Sequence, residues 1–412
     1  MSYVPPHKRL SSTQLGPPPT PEQLAPRMRK NLNLRSDRRT DKHASTVNRI
    51  VYAEHSISRC LAVPLQDDGQ IPPSVRLVQV SPESIKWRNG EKPLTLINYC
   101  SQQECGDVEN CHLKSPWASV AGTVHSDLIL ASQNVKHEMT HGSLEEIKPV
   151  AAIRFGKVLF HRSPSLSVEL LKEYSISEAH LRDLRRVFHT DVPSSYVEHI
   201  KNEVIPKIGV DFLGKKERYL VKLADAKQPG SMISCKCRIQ EGEKKLELYK
   251  IESNPLRHLV VDISCLDSSV DLRLALRTIE NLTAVTEEKQ SISDLISSAI
   301  LDSNVKGGLK WPLGTANSGA RYSVIGIWHT KSEFYSNSST RLKVREADRY
   351  DFLTSAGSVT REISLKLAGM ARILMEPGDN AMAVSTLLED TLKLIWDHFL
   401  RWHGSLVSYC ES

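Results

Sequence analysis

Val359-Thr360-Arg361-Glu362-Ile363-Ser364-Leu365-Lys366-Leu367 and the segment from Ala381 to His403 together decide how this chain is read. In the first, the odd positions are mostly apolar and the even positions are all polar. Period 2 marks a strand with one face on a core. Pro377-Gly378 then breaks the chain, and Asp379 or Asn380 offers an N-cap oxygen to a free helix amide. From Ala381 the period changes. Val384, Leu388, Leu392, Ile395, Phe399 and Trp402 recur at steps of three and four, one apolar stripe along a helix. Glu389 before Lys393 and Asp397 before Arg401 add acid-to-base pairs on another face, each contributing about 0.2–0.5 kcal/mol. Gly404 is a natural stop. A long C-terminal amphipathic helix must cover something, and the sheet just before it is the economical partner. The expected fold class is α+β: antiparallel β-sheets covered by helices, behind a disordered N-terminal tail.

The same reading extends backwards. Tyr322 to Trp328 and Arg341 to Arg345 read as strands. Residues 217–279 read as an antiparallel meander in which Leu272, Leu274 and Leu276 alternate with Arg273, Ala275 and Arg277. After Thr286, Ile292, Leu295, Ile296 and Ala299 form a helical stripe. Strands followed by a helix thus occur twice, at about 217–301 and 322–402, an order compatible with a divergent duplication. Residues 166–208 look helical, with Leu181, Leu184, Val187 and Phe188 as one stripe and Val197, Ile200, Val204 and Ile205 as another. Pro149 to Phe160 reads as a strand with a bulge at Gly156, and Asn89-Gly90 signals a hairpin. Residues 100–146 give no clear period beyond the run Leu128-Ile129-Leu130. Three parts are expected: a basic Pro-rich tail, 1–45; a β-rich region ending in helices, 46–210; and an α+β region with two strand-then-helix units, 211–412.

Charge is unevenly placed. Residues 1–45 hold nine Lys/Arg and three Asp/Glu, leaving 45 of the 54 basic and 45 of the 48 acidic residues to the rest. The excess of +6 therefore sits in the tail and the body is neutral, which argues against whole-protein steering of nucleic acid. The tail's prolines and few apolar groups cannot offset ordering entropy, although Leu24, Met28 and Leu32 are spaced for a short basic helix on a partner. No stretch approaches eighteen apolar residues and no apolar leader opens the chain, so neither membrane spanning nor secretion is expected. The eight Cys are read accordingly as thiols of a reducing compartment, cytoplasmic or nuclear.

His137-Glu138-Met139-Thr140-His141 is a literal H-E-x-x-H. On a helix that spacing sets two imidazoles on one face for Zn²⁺, with the Glu as general base. Its surroundings oppose the chemistry: Lys136 puts a cation beside the first ligand, and Gly142-Ser143 would end the helix inside the motif. A polar surface segment is the plainer reading, and no cofactor is expected unless His137 and His141 hold zinc. Cys100, Cys105, Cys111 and His112 form a second thiolate-rich stretch without tight Cys-x-x-Cys knuckles. Cys235 and Cys237 share one face of a strand and read as packed core thiols. No phosphate loop, dinucleotide fingerprint or nucleophile elbow is present. Arg341-Leu342-Lys343-Val344-Arg345 puts three cations on one sheet face near Trp328, Tyr322, Tyr335 and Tyr350, a pattern used to stack single-stranded nucleic acid. A solvated face balanced by Glu333, Glu346 and Asp348 carries the same pattern.

Ser2-Tyr3-Val4-Pro5-Pro6-His7-Lys8-Arg9 resembles the start of an uncharacterised plant protein family. Arg341 to Phe352, R-L-K-V-R-E-A-D-R-Y-D-F, is similar to a segment of the same family. The resemblance covers most of the chain and implies a domain of unknown function, with no catalytic residue to carry over. Tyr3-Val4-Pro5-Pro6-His7 also resembles an N-terminal motif of some DEAD-box RNA helicases, where a Y-x-x-x-x-L element binds a translation initiation factor. Here Lys8 stands at the Leu position and the helicase core is absent. The expectation is a non-enzymatic interaction protein with an RNA or protein partner and no small-molecule substrate. Its contacts are Tyr3, Lys8 and Arg9 of the tail and Arg341, Lys343 and Arg345 of the strand; a zinc-dependent hydrolase on His137, Glu138 and His141 is the alternative.

Overall fold

A computed structural model describes residues 50–65, 75–81, 92–98, 115–141, 147–161, 184–228, 232–240, 245–253, 255–282, 287–312, 317–318, 321–378, 380–406 and 408–409. The first strands are β1 (Val51–Val63), β2 (Val75–Ser81) and β3 (Leu94–Asn98), followed by helix α1 (Pro116–His141). Next come β4 (Ile147–His161), β5 (Arg185–His189) and α2 (Ser194–His199). A run of strands follows: β6 (Asp211–Asp225), β7 (Met232–Ile239), β8 (Leu246–Ser253), β9 (Leu256–Cys265) and β10 (Asp271–Glu280). Helix α3 (Glu287–Ser297) precedes three two-residue strands, β11 (Ile300–Leu301), β12 (Leu309–Lys310) and β13 (Asn317–Ser318). The chain closes with β14 (Tyr322–Ser336), β15 (Thr340–Asp351), β16 (Ala356–Leu367), α4 (Ala368–Met375), α5 (Ala381–Leu394) and β17 (Ser408–Tyr409).

The main sheet runs β1-β9-β10-β4-β16-β15-β14-β6-β7-β8. Its β1–β9 pair is parallel, and the remaining pairs along that path are antiparallel. From β10 to β8 the path comprises eight strands and returns on itself. Glu252 of β8 bridges Asn281 just past β10, and the Leu282 amide donates to the Ile251 carbonyl at 3.1 Å. The eight strands therefore close as an antiparallel barrel, which leaves no free edge between β8 and β10 there. Sheet β9–β1 extends one wall, and β5 and β3 pair with the far half of β4.

Alternation along each strand assigns the two faces. Ile153 and Phe155 of β4, Leu272, Leu274 and Leu276 of β10, Leu342 and Val344 of β15, and Ile363, Leu365 and Leu367 of β16 point outward into one core. Helices α1, α2, α4 and α5 cover that wall through residues such as Leu128, Tyr196, Met370 and Leu388. Val221 and Leu223 of β6, Cys235 and Cys237 of β7, Ile251 of β8 and Ile327 of β14 point outward into a second core, covered by Ile292, Leu295 and Ile296 of α3. Apolar packing thus clamps the barrel from two sides, and the opposite face of every one of these strands looks inward.

The closing unit forms as its sequence indicates, with two corrections. Val384, Leu388, Leu392, Ile395 and Phe399 are all buried, the last two on a π-helical turn, Ile395–Phe399, that continues α5. Phe399 stacks on Phe155 at 4.5 Å between ring centroids. The first correction is α4, a two-turn helix that the sequence reading passes over. The second concerns Asn380, which makes no side-chain cap; its Nδ2 donates to the Ile373 carbonyl at 3.2 Å and so closes the end of α4.

Other expectations change too. Pro116 to His141, without a clear period in the sequence, is a helix of 26 residues that buries Val120, Ala121, Val124, Leu128, Ala131 and Val135. The stripe expected to be helical at Val187 and Phe188 is strand β5, held by the β4 edge. Gly156 marks a close approach rather than a bulge: a Cβ there would lie 2.0 Å from the His189 carbonyl oxygen. No boundary falls near residue 210, because β4 lies between β10 and β16 of the later sequence. The tail, the Asn89-Gly90 turn and the Cys100/Cys105/Cys111/His112 stretch lie outside the described residues.

Phe399→Ala removes a fully buried ring from the larger core. It is expected to cost about 3–5 kcal/mol, read as a lower urea midpoint at unchanged slope.

Candidate anion-binding site

The inward face of the barrel is built from the residues that alternate with its two cores. β15 contributes Lys343, Arg345 and Arg349, with Arg341 exposed at the strand's start. Register places Ser364 and Glu362 of β16 beside Lys343 and Arg345, and Arg154 of β4 beside Ser364. Arg273 of β10 follows beside Arg154. In the other direction Trp328 of β14 lies beside Arg349, Leu220 of β6 beside Trp328, and Lys236 of β7 beside Leu220. Lys250 of β8 completes that row beside Lys236. Arg218 and Lys222 of β6, Arg277 of β10 and Lys366 of β16 share the same face.

These groups see one another across the interior. The charges that act on Lys343 lie on its own strand (Arg345), on β7 (Lys236), on β4 (Arg154) and on β6 (Arg218). Burial first, and these four cations after it, push the Lys343 ammonium well below its ordinary value. Burial followed by repulsion from Arg345 and Arg273 lowers Arg154. Arg277 is lowered by burial and then by Arg154. A guanidinium keeps its proton regardless, so the mutual repulsion stays as a standing destabilisation of the barrel. The side chains of Arg345, Arg349 and Lys236 are nevertheless 14%, 17% and 24% exposed. Walls surround them, and solvent still reaches them.

Three carboxylates set among these cations are each shared by two of them. Glu362 takes both Arg345 and Arg349. Glu252 accepts from Lys236 at 2.6 Å and Lys250 at 2.7 Å. Burial tends to raise the Glu252 pKa, but the two ammonium groups outweigh it and hold the carboxyl below its usual range. On the adjoining β9, Asp262 takes Arg273 at 2.5 Å and Arg186 at 3.0 Å. Among the described residues Arg154, Arg277, Lys343 and Lys366 form no ion pair, and Arg277 Nε and Arg349 Nε are buried without a hydrogen-bond acceptor. Aromatic faces supply part of the missing counter-charge. Trp328 has Arg349 at 4.5 Å, Lys222 at 5.0 Å and Arg345 at 6.0 Å from its ring. Phe334 has Lys343 at 5.7 Å and Lys216 at 5.8 Å.

The basic strand singled out in the sequence therefore faces a lumen: Lys343 and Arg345 lie within it and Arg341 at its rim. Tyr3, Lys8 and Arg9 lie outside the described residues. The H-E-x-x-H lies at the C-terminal end of α1, where His141 is the last helical residue. His137 is exposed, and Glu138 Oε2 lies 3.6 Å from Nε2 of His258, a buried imidazole pushed down to about 4 by its burial. No group of three or more His, Cys, Asp or Glu that could hold a metal ion occurs among the described residues. No described helix is long and apolar enough to cross a membrane. Sequence reasoning missed Arg154, Arg218, Lys222, Lys236, Arg277, Glu252 and Glu362. Their common signal is a charged residue at alternate positions of strands whose other face is apolar.

The pattern of one family matches residues 44–399, most of the chain and the whole barrel. The chain belongs to that family, a domain of unknown function (DUF7903). No curated protein matches it by sequence. Among solved structures, the S. pombe Pct1 RNA triphosphatase in complex with the Spt5 CTD is similar at 10% identity and a TM-score of 0.39, over 72% of this chain and 97% of that one. A conserved hypothetical protein from Pyrococcus furiosus is similar at 9% identity and a TM-score of 0.22, over 50% of this chain and 86% of that one. At these scores the backbones correspond only loosely.

Lys222 gives the lumen a pH signature. Its side chain is buried; burial, offset in part by Glu252, brings its ammonium down to about 8 from 10.5. Between those values the unfolded chain holds the proton and the folded chain does not, so stability rises with pH there. Lys222→Met is expected to be more stable than the parent at pH 7, by on the order of 2–3 kcal/mol. The gap should narrow from about pH 8 upward and close only above about pH 10.5, followed by urea denaturation of both proteins without added anion.

Proposed function

We propose that this chain binds an extended anion carrying several linked phosphates inside its barrel. The observation that carries the reading is the excess of inward cations over inward carboxylates: three carboxylates each hold two cations, and Arg154, Arg277, Lys343 and Lys366 hold none. Guanidinium groups grip phosphate through paired N–H donors, and ammonium groups add point charges. The charges extend along the wall as well as around it. Lys343 to Arg349 spans six residues of β15, about 20 Å of strand. A lone phosphate would satisfy one level of that wall, whereas a phosphate chain meets several.

The RNA contact expected of Arg341, Lys343 and Arg345 changes its geometry under this reading. A strand of RNA draped over an open sheet is disfavoured, because β4, β6 and β7 complete the wall around Lys343. A contact of Tyr3, Lys8 and Arg9 with RNA or a protein partner is a separate proposal, supported by the tail's excess charge.

Calorimetric titration with sodium tripolyphosphate tests the lumen. Lys343→Ala and Arg154→Ala should each weaken binding about tenfold or more, since a hydrogen bond to a charged group contributes about 1.5–3 kcal/mol. Removal of residues 1–45 should leave the affinity unchanged. If neither lumen variant alters the titration, or if the intact chain gives no binding heat, the reading is wrong.

A further inference from the structure

We infer that the lumen takes its polyanion free of divalent cation, so that magnesium opposes binding. The inference rests on the lumen being the phosphate site. Polyphosphates in solution associate with Mg²⁺, and a site can accept the complex only if it offers the ion oxygen ligands or tolerates its charge. Magnesium demands oxygen donors in near-octahedral geometry and gives up its water reluctantly, and proteins usually hold it through one or two carboxylates plus the phosphates.

The carboxylates set among the cations are already engaged by them. Both Glu362 oxygens are occupied: Oε2 by Arg345, and Oε1 by Arg349 together with the Thr190 hydroxyl at 3.3 Å. Glu252 Oε1 accepts from both Lys236 and Lys250. Asp262 uses Oδ1 for Arg273 and Oδ2 for Arg273 and Arg186. Freeing any of them for a metal would release two more cations into an interior that already holds unpaired ones. The unpaired cations beside them, Lys343 and Arg154 among them, supply no oxygen and repel a dication directly. A magnesium–polyphosphate complex also presents two fewer negative charges to the same walls. Both effects act in one direction, and the free anion is the form the lumen selects.

The test is a tripolyphosphate titration of the full chain in two buffers, one with EDTA and one with excess MgCl₂, matched in ionic strength with KCl. Binding in EDTA that weakens about tenfold or more in magnesium supports the inference. Equal or tighter binding in magnesium overturns it while leaving the lumen as the phosphate site. Absence of binding in both buffers removes the site reading and the inference together. Glu362→Gln and Glu252→Gln sharpen the outcome, and either suffices if the other fails to fold. Each should hold or raise the affinity in both buffers, because it releases cations to the ligand. A loss of affinity confined to the magnesium buffer would identify the carboxylate as a metal ligand and overturn the inference.

Discussion

Pairing of two cations to each of Glu362 and Glu252 is the constraint from which the rest of this structure follows. Glu362 with Arg345 and Arg349, and Glu252 with Lys236 and Lys250, tie neighbouring strands across the barrel interior. Neither arrangement reaches neutrality. A buried charge is tolerated when it is paired and hydrogen-bonded, and here the pairing is incomplete by construction. The barrel therefore carries an electrostatic load that packing elsewhere has to offset.

That offset comes from the outward faces. Strands that bring an Arg or Lys inward bring an apolar residue outward at the next position: Lys343 lies between Leu342 and Val344, Arg273 between Leu272 and Leu274, Lys222 between Val221 and Leu223, and Lys236 between Cys235 and Cys237. Two separate cores, one under α1, α2, α4 and α5 and one under α3, press the wall from opposite sides. Closure at Glu252–Asn281 then denies the cations an escape by splaying of the sheet. A cationic interior and an apolar jacket are two readings of one alternating pattern.

This explains what was legible in the sequence. The segment Val359–Leu367 announces its strand, and its apolar residues Ile363, Leu365 and Leu367 are placed correctly against a helix-covered core. The even positions, Thr360, Glu362, Ser364 and Lys366, read as a solvated face because period 2 separates faces without saying what lies beyond them. Whether a polar face meets bulk water or a lumen depends on closure, and closure joins Glu252 to Asn281 through pairings that leave no local mark. The basic strand Arg341–Arg345 was visible for the same reason and misplaced for the same reason. Helix α1 was hidden differently: its buried stripe relies on Ala121 and Ala131 among Val and Leu, and small residues blur a period. Ser115-Pro116 was its available signal, a cap residue and a first-turn proline whose missing amide costs nothing.

Trp328 and Phe334 show why an interior of this kind can persist without its ligand. Further carboxylates would neutralise the cations fully and leave nothing for an anion to gain. Solvent alone would leave the strands to repel at full strength. An aromatic face lies between these limits: it attracts a cation by about 0.5–2 kcal/mol, less than a charge-assisted hydrogen bond contributes. Lys222, Arg345 and Arg349 around Trp328, and Lys343 and Lys216 around Phe334, are thereby held in place and remain exchangeable. A polyanion entering the lumen has only to outcompete a ring for these side chains. Under the proposed reading these two aromatics of β14 scale the affinity from inside the wall.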